Sequence, residues 1–177
     1  MYIWIGIDVD DQLTSVKQRT QEIERRIGFE HSNFTLPLHV SLKISFKVEE
    51  SACGEVIDTI LQYYKGVAPF EIEVDGIENE NTIVWIRYRE NETLNRIHDD
   101  LNQVLLERYG VPLHAYDLDY KFHTTLFMDD DAEKIAAAHR EIREMVLPDR
   151  VRVKSLLLGT SESGALGSYR VMHRVLL

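Results

Sequence analysis

The sequence predicts an α+β protein of two pseudo-symmetric lobes, each an antiparallel-rich sheet backed by helices, with a central cleft between them. Three observations lead there. Helical and strand periodicities alternate along the whole chain, with no low-complexity segment and no linker. Two pairs of strand-like runs follow each other across short turns, as antiparallel neighbours do. The second part repeats the first in kind: a strand, a helix, a histidine-bearing strand, a helix, then more strand. The repeat is structural, unlike a solenoid array, so all 177 residues (1–177) are read as one bilobal domain.

The elements follow in order. "YIWIGIDVD" (2–10) is a short apolar run rich in Ile and Val, a strand. "DQLTSVKQRTQEIERRIG" has apolar residues at 13, 16, 23 and 27, acids Asp10 and Asp11 at its start and Gly28 at its end, a helix. A polar loop, "FEHSNFTLP", leads to "LPLHVSLKISF" (36–46), a strand. "SACGEVIDTILQYYKG" is helical at 53, 56, 57, 60, 61 and 64 and stops at Gly66. "PFEIEVDGIE" and "NTIVWIRYRE" are strands joined at "ENEN". "ETLNRIHDDLNQVLLERYG" is an amphipathic helix with another glycine stop. "DYKFHTTLFMDDD" is a strand through Met128, and its aspartates favour the N-terminus of the helix "DAEKIAAAHREIREMV". "RVRVKSLLLGTS" and "SYRVMHRVLL" close the chain as two strands around a Gly-rich turn.

Apolar residues make up 44% of the chain and charged residues 28%, the balance of a soluble protein with a real core. Twenty Lys and Arg against thirty Asp and Glu give a net charge of −10. Long nucleic acid is not an expected partner, since coating a phosphate backbone takes many cations. A small anionic ligand stays open, because the potential of a cleft can oppose the global charge. Cys53 is the single cysteine and cannot close an internal disulfide, which fits a reducing compartment. No basic-then-apolar leader opens the sequence, and no apolar run nears the ~18 residues of a membrane span. The expectation is a cytoplasmic monomer with no membrane partner.

The strand at 36–46 raises a chemical question. Alternation puts His39, Ser41 and Lys43 on one face and Val40, Leu42 and Ile44 on the other. The apolar face reads as core, the polar face as a site. A partner lies far along the chain, where "FHTTL" (122–126) matches "LHVSL" (38–42): apolar, His, any residue, Ser or Thr, Leu. There Lys121, His123, Thr125 and Phe127 share a face. Of the seven histidines, His31, His98, His114, His139 and His173 lack the pattern. Cleaving a phosphodiester by in-line displacement needs one proton removed from the nucleophile and one given to the leaving oxygen. Two histidines with pKa near 7 suit both tasks. A hydroxyl two residues after each histidine shares its face and suits the non-bridging oxygens, so Ser41 and Thr125 are the candidate phosphate-binding residues. No metal or other cofactor is required.

On these two tetrapeptides, His39-Val40-Ser41-Leu42 and His123-Thr124-Thr125-Leu126, the sequence resembles the two-histidine phosphoesterase superfamily, which includes the bacterial RNA ligase-like proteins and cyclic nucleotide phosphodiesterases. The resemblance covers nearly the whole chain in element order. It implies two lobes related by a pseudo-two-fold axis, with the histidines facing each other across the cleft. It implies that His39 and His123 are the catalytic acid–base pair, with His123 activating water and His39 protonating the leaving group of a 2′,3′-cyclic phosphate. Reversing the reaction exchanges those roles. The substrate is then a small nucleotide or RNA-end phosphodiester. RNA-end joining is known in the family, and a non-catalytic nucleotide-binding module or a metal-dependent hydrolase using the aspartates are the other readings.

Strand alternation adds Lys43 and Lys121 as possible sources of positive potential in the cleft, unless a bulge breaks the alternation. Trp4 and Tyr2 share a face of the first strand, where Trp4 packs or stacks on a base. "GTSESGALGSYR" (159–170) is a lid or a plain hairpin turn, and Tyr169 and Arg170 emerge from it toward a possible substrate. The acids of "MDDDAE" and Asp8, Asp10 and Asp11 fit helix starts better than metal ligation. Cys53 is read as a packing residue.

Overall fold

The computed structural model describes residues 1–29 and 36–177, so residues 30–35 of the expected polar loop lie outside the described residues. Among the described residues, eight strands and four helices follow each other as β1 (Tyr2–Asp8), α1 (Thr14–Ile27), β2 (His39–Lys47), α2 (Glu50–Tyr64), β3 (Phe70–Glu80), β4 (Ile83–Tyr88), α3 (Glu92–Tyr109), β5 (His123–Met128), α4 (Ala132–Ile142), β6 (Arg150–Val153), β7 (Ser155–Ser161) and β8 (Arg170–Leu176). The strands form two four-stranded antiparallel sheets, ordered β2-β1-β7-β8 and β5-β4-β3-β6. The expected α+β architecture of two lobes is therefore present.

The lobes are not the two halves of the sequence. "RVRVKSLLLGTS", expected as one strand, breaks at Lys154, and its two pieces join different sheets. β6 pairs with the start of β3, while β7 runs between β1 and β8. The burial pattern gives the reason. In "RVRV" only Val151 and Val153 are buried, as on a one-sided strand, whereas Leu156, Leu157 and Leu158 are all buried, as on a central strand covered on both faces.

The helices are exchanged between lobes. α1, which connects two strands of the first sheet, packs on α4 and reaches β5 of the second. Arg19 and Arg26 of α1 pair with Glu141 of α4, and Phe29 meets Phe127 at 5.4 Å between ring centroids. Conversely, α3 leaves the second sheet and packs on β2 of the first, beside α2. One apolar core runs through both lobes, from Ile3, Val40 and Ile60 to Ile86, Phe127 and Ile135.

Most helix ends follow the sequence signals. Gly28 (φ 81°) and Gly110 (φ 66°) take the left-handed conformation that terminates α1 and α3. Asn91 caps α3 by accepting from Thr93 N and Leu94 N, and Asp131 caps α4 by accepting from Glu133 N and Lys134 N. The last helix is shorter than its periodicity suggests, ending at Ile142 rather than Val146. The chain turns at Arg143 and Glu144, where Met145 N donates to Ile142 O, and Pro148 keeps the residue before it out of helical backbone. Among the described residues no helix is long and apolar enough to cross a membrane.

Candidate active site

The two motif strands, β2 and β5, are the edge strands of their sheets and lie against each other without ladder bonds. An antiparallel sheet usually leaves such an edge to solvent or to a cover. Here each edge covers the other, and the gap between them is a cleft of about 270 Å³. His39, Ser41, His123 and Thr125 all line it. A larger hollow of about 460 Å³ around Glu71, Glu73, Glu90 and Arg150 shares no residue with this cleft and holds no histidine. Its acids Glu71 and Glu73 are already paired with Arg150.

Both motif strands bulge at the same motif position. In β2 the register passes from Ile5↔Lys43 to Gly6↔Ser41, leaving Leu42 as an extra residue. In β5 it passes from Val84↔Phe127 to Trp85↔Thr125, leaving Leu126 extra. The leucine that closes each tetrapeptide is thus the bulged residue, and each bulge re-aims the strand beyond the hydroxyl-bearing residue.

The histidines are presented alike. His39 Nδ1 donates to Pro37 O at 2.8 Å, and His123 Nδ1 donates to Lys121 O at 2.7 Å, both two residues upstream on the same strand. A carbonyl only accepts, so Nδ1 carries a proton in each ring and Nε2 is the nitrogen that can exchange one. Neither Nε2 has a hydrogen-bond partner among the described residues. Burial pulls the His39 pKa down to about 4, its bond to Pro37 partly offsets this, and the nearby His123 lowers it further. Burial also lowers His123, against its bond to Lys121 O and the carboxylate of Glu80, which both raise it.

An indole braces each ring. Trp4 meets His39 edge-on at 4.4 Å between centroids, and Trp85 lies against His123 at 4.5 Å. Trp4, only 5% exposed, also donates from Nε1 to Ser41 Oγ at 3.0 Å. It is a wall of the cleft rather than an open stacking platform. Two glycines admit it. A Cβ on Gly6 would stand 2.7 Å from Trp4 Cζ2 and 2.8 Å from Val40 O, and one on Gly159 would stand 2.9 Å from Trp4 Cε3.

With this geometry in place, comparison with known proteins is decisive. The sequence profile of the 2′-5′ RNA ligase superfamily matches residues 8–165, most of the chain. The chain belongs to the 2′-5′ RNA ligase superfamily. In fold this superfamily member is similar to TT0787 of Thermus thermophilus, with a TM-score of 0.69 at 17% identity over 100% of this chain and 98% of that one. It is also similar to Escherichia coli LigT solved with 3′-AMP, with a TM-score of 0.57 at 15% identity over 99% and 96%. Over 81 residues it is 28% identical to a protein of Halalkalibacterium halodurans named "Putative phosphoesterase BH1439". That match spans 44% of this chain and 47% of the relative, about half the relative's length.

Within this superfamily member the other sequence candidates fall in different places. Lys43 does not offer a free cation to the cleft. Lys43 does line the cleft, but it is buried there and its ammonium is paired with Asp117 at 2.7 Å, while Ile44, expected on the core face, lines the cleft as well. Lys121 is more than half exposed, lies 3.7 Å from Glu80 and does not line the cleft. Tyr169 does line it, with Leu166 and Gly167, so the 159–170 turn forms one wall. The Tyr169 hydroxyl is buried and has no hydrogen-bond partner among the described residues. Arg170 is exposed and does not line the cleft. Among the described residues no three His, Cys, Asp or Glu stand where they could hold a metal ion. Asp129 instead accepts from Asp131 N and pairs with Lys134.

Sequence reasoning missed Trp85 and Tyr120. Trp85 faces Thr125 across the ladder, as Gly6 faces Ser41, so the indole of Trp4 reaches over Gly6 into the place Trp85 holds directly. Tyr120 lines the cleft, with its hydroxyl near Ser41. Gly6→Ala is expected to cost about 1–3 kcal/mol by overpacking. Urea unfolding measures it, and wild-type stability would mean that Trp4 can repack without loss.

Proposed function

We propose that the chain is a metal-independent phosphodiesterase that hydrolyses small nucleotide or RNA-end phosphodiesters, 2′,3′-cyclic phosphates foremost, by histidine acid–base catalysis. The observation that carries this reading is the matched presentation of His39 and His123, each fixed at Nδ1 and free at Nε2 in one cleft. LigT, which shares the fold, was solved with 3′-AMP, and a ribonucleotide phosphate is the ligand class proposed for this cleft too.

Attack of water on the phosphorus needs a base at one end of the in-line path and an acid at the other. An anionic phosphate between the rings raises both pKa values, while repulsion between two imidazolium ions keeps the second proton off. The pair therefore works with one proton. Glu80 favours that proton on His123, whereas burial and the His123 charge hold His39 neutral. His39 then takes the proton of the attacking water at Nε2, and His123 gives its Nε2 proton to the departing ribose oxygen. The charges around the rings thus favour the opposite split from the one the resemblance implies.

Thr125, whose hydroxyl has no partner in the protein among the described residues, donates to a non-bridging oxygen. Ser41 accepts from Trp4 and keeps its own O–H for the phosphate or Tyr120. The test is turnover of the four 2′,3′-cyclic nucleotides in EDTA, with His39→Ala/His123→Ala alongside. Turnover by the wild type alone is expected. Binding without turnover would replace the enzyme by a nucleotide-binding module, and activity lost to EDTA would replace the metal-independent mechanism.

A further inference from the structure

A charged pair at the cleft takes no part in the acid–base chemistry, yet it joins one motif strand to the segment that leads into the other. Lys43 follows Ser41 by two residues on β2 and is 2% exposed. Its ammonium donates to Asn102 Oδ1 of α3 at 2.5 Å and to Asp117 Oδ2 at 2.7 Å. Asp117 sits in a single 3-10 turn, Ala115–Leu118, on the segment that leads into His123. It also accepts from His114 N at 2.8 Å. Burial pushes the Asp117 carboxyl up, but Lys43 and the His114 N–H outweigh it and hold the group below the usual carboxylate range.

The hydrogen-bond polarity of the cluster is fixed by Lys43. An ammonium only donates, so Asn102 must turn Oδ1 to it and Nδ2 to His98 Nε2, 3.0 Å away. His98 then accepts at Nε2 and donates from Nδ1 to Asp99 Oδ1 at 3.0 Å. The His98 ring lies against Tyr120 at 4.7 Å between centroids, and the Tyr120 hydroxyl comes near Ser41. The contacts run from β2 through α3 and the 115–120 segment back to β2.

We propose that the buried Lys43–Asp117 pair is a positioning device that ties β2 to the segment entering β5, and so fixes His39 and Ser41 opposite His123 and Thr125. The inference rests on the acid–base reading of the cleft. β2 and β5 share no ladder bonds, so their spacing depends on what joins them elsewhere. Acid–base catalysis is sensitive to that spacing, since a displacement of about 1 Å costs about 10²-fold in rate. A buried pair often adds little net stability over apolar replacements, which leaves geometry as its use here.

The test is the double variant Lys43→Met/Asp117→Asn, which removes both charges and keeps an acceptor for His114 N. Expected are a folded protein by circular dichroism, a kcat lowered about 10- to 100-fold, and a KM changed much less. The NMR titration of the His39 ring should also rise toward the ordinary histidine range as the cleft loosens. Wild-type kcat together with an unchanged His39 titration overturns the proposal. Tyr120→Phe keeps the ring on His98 and removes only the hydroxyl, so it serves if the double variant does not fold. It should lower kcat about tenfold, and wild-type kcat overturns the link to Ser41. If the wild type turns over no cyclic nucleotide, the phosphodiesterase reading falls, and the His39 titration alone decides whether the pair sets the spacing.

Discussion

Alanine at either His39 or His123 lowers kcat/KM for a 2′,3′-cyclic nucleotide by about 10²–10⁴-fold, the range that positioned acid–base groups supply. That range equals about 3–5 kcal/mol of transition-state stabilisation. Neither ring belongs to the apolar core, so both variants are expected to fold. The two losses separate when the leaving group no longer needs a proton. On a p-nitrophenyl phosphodiester the His123→Ala variant should recover most of the wild-type rate, because nitrophenolate departs unprotonated. His39→Ala should recover little, because the water still needs its base. The reverse pattern would restore the split implied by the resemblance, and near-wild-type rates for both variants would remove the pair from the chemistry altogether.

The sequence carried the motif, and the motif carried the site. Period-two alternation in "LHVSL" and "FHTTL" placed each histidine and its hydroxyl on one face, and both pairs line the cleft. Alternation failed further on, at Ile44, which lines the cleft although its face was expected in the core, because the ladder with β1 is broken by a bulge between Ser41 and Lys43. A bulge is decided by register with the partner strand, which a single strand's sequence does not contain. The burial of Lys43 depended equally on Asp117, a loop residue 74 positions away, and no local pattern links the two. Trp85 was invisible for a related reason: its ring faces His123 only because β4 lies beside β5 in this register.

The fold shows the same division. The type of most elements followed from local period and caps, as with Gly28, Asn91 and Gly110. Which sheet each strand joins did not, and β6 and β7, one continuous strand-like run in the sequence, belong to different lobes. A local signal was present at that boundary, since "RVRV" alternates and "LLL" does not. A change of period inside one strand-like run marks a change of environment, from one covered face to two.

Acid should destabilise the protein through His39. Its folded pKa of about 4 lies below the 6.5 of an unfolded histidine, because burial disfavours the imidazolium. Between those pH values the unfolded chain binds more protons than the native one at this site. Unfolding free energy therefore falls as pH drops below about 6.5, and the site's full contribution of about 3 kcal/mol is lost below pH 4. His39→Gln removes that titration while keeping a polar side chain, so its stability should fall by about 3 kcal/mol less than the wild type's between pH 7 and pH 4. Urea unfolding at the two pH values decides it, and equal losses would mean that the His39 ring is hydrated and titrates normally. The same ordering shapes catalysis. In the free enzyme His39 must be neutral and His123 protonated, and the pKa of His123 is itself lowered by burial. The bell of kcat/KM should therefore peak on the acid side of 6.5, while an anion bound between the rings raises both pKa values and moves the kcat profile toward neutral pH. A kcat/KM maximum above pH 7 would show that the rings titrate as exposed histidines, and the acid–base assignment would lose its electrostatic basis.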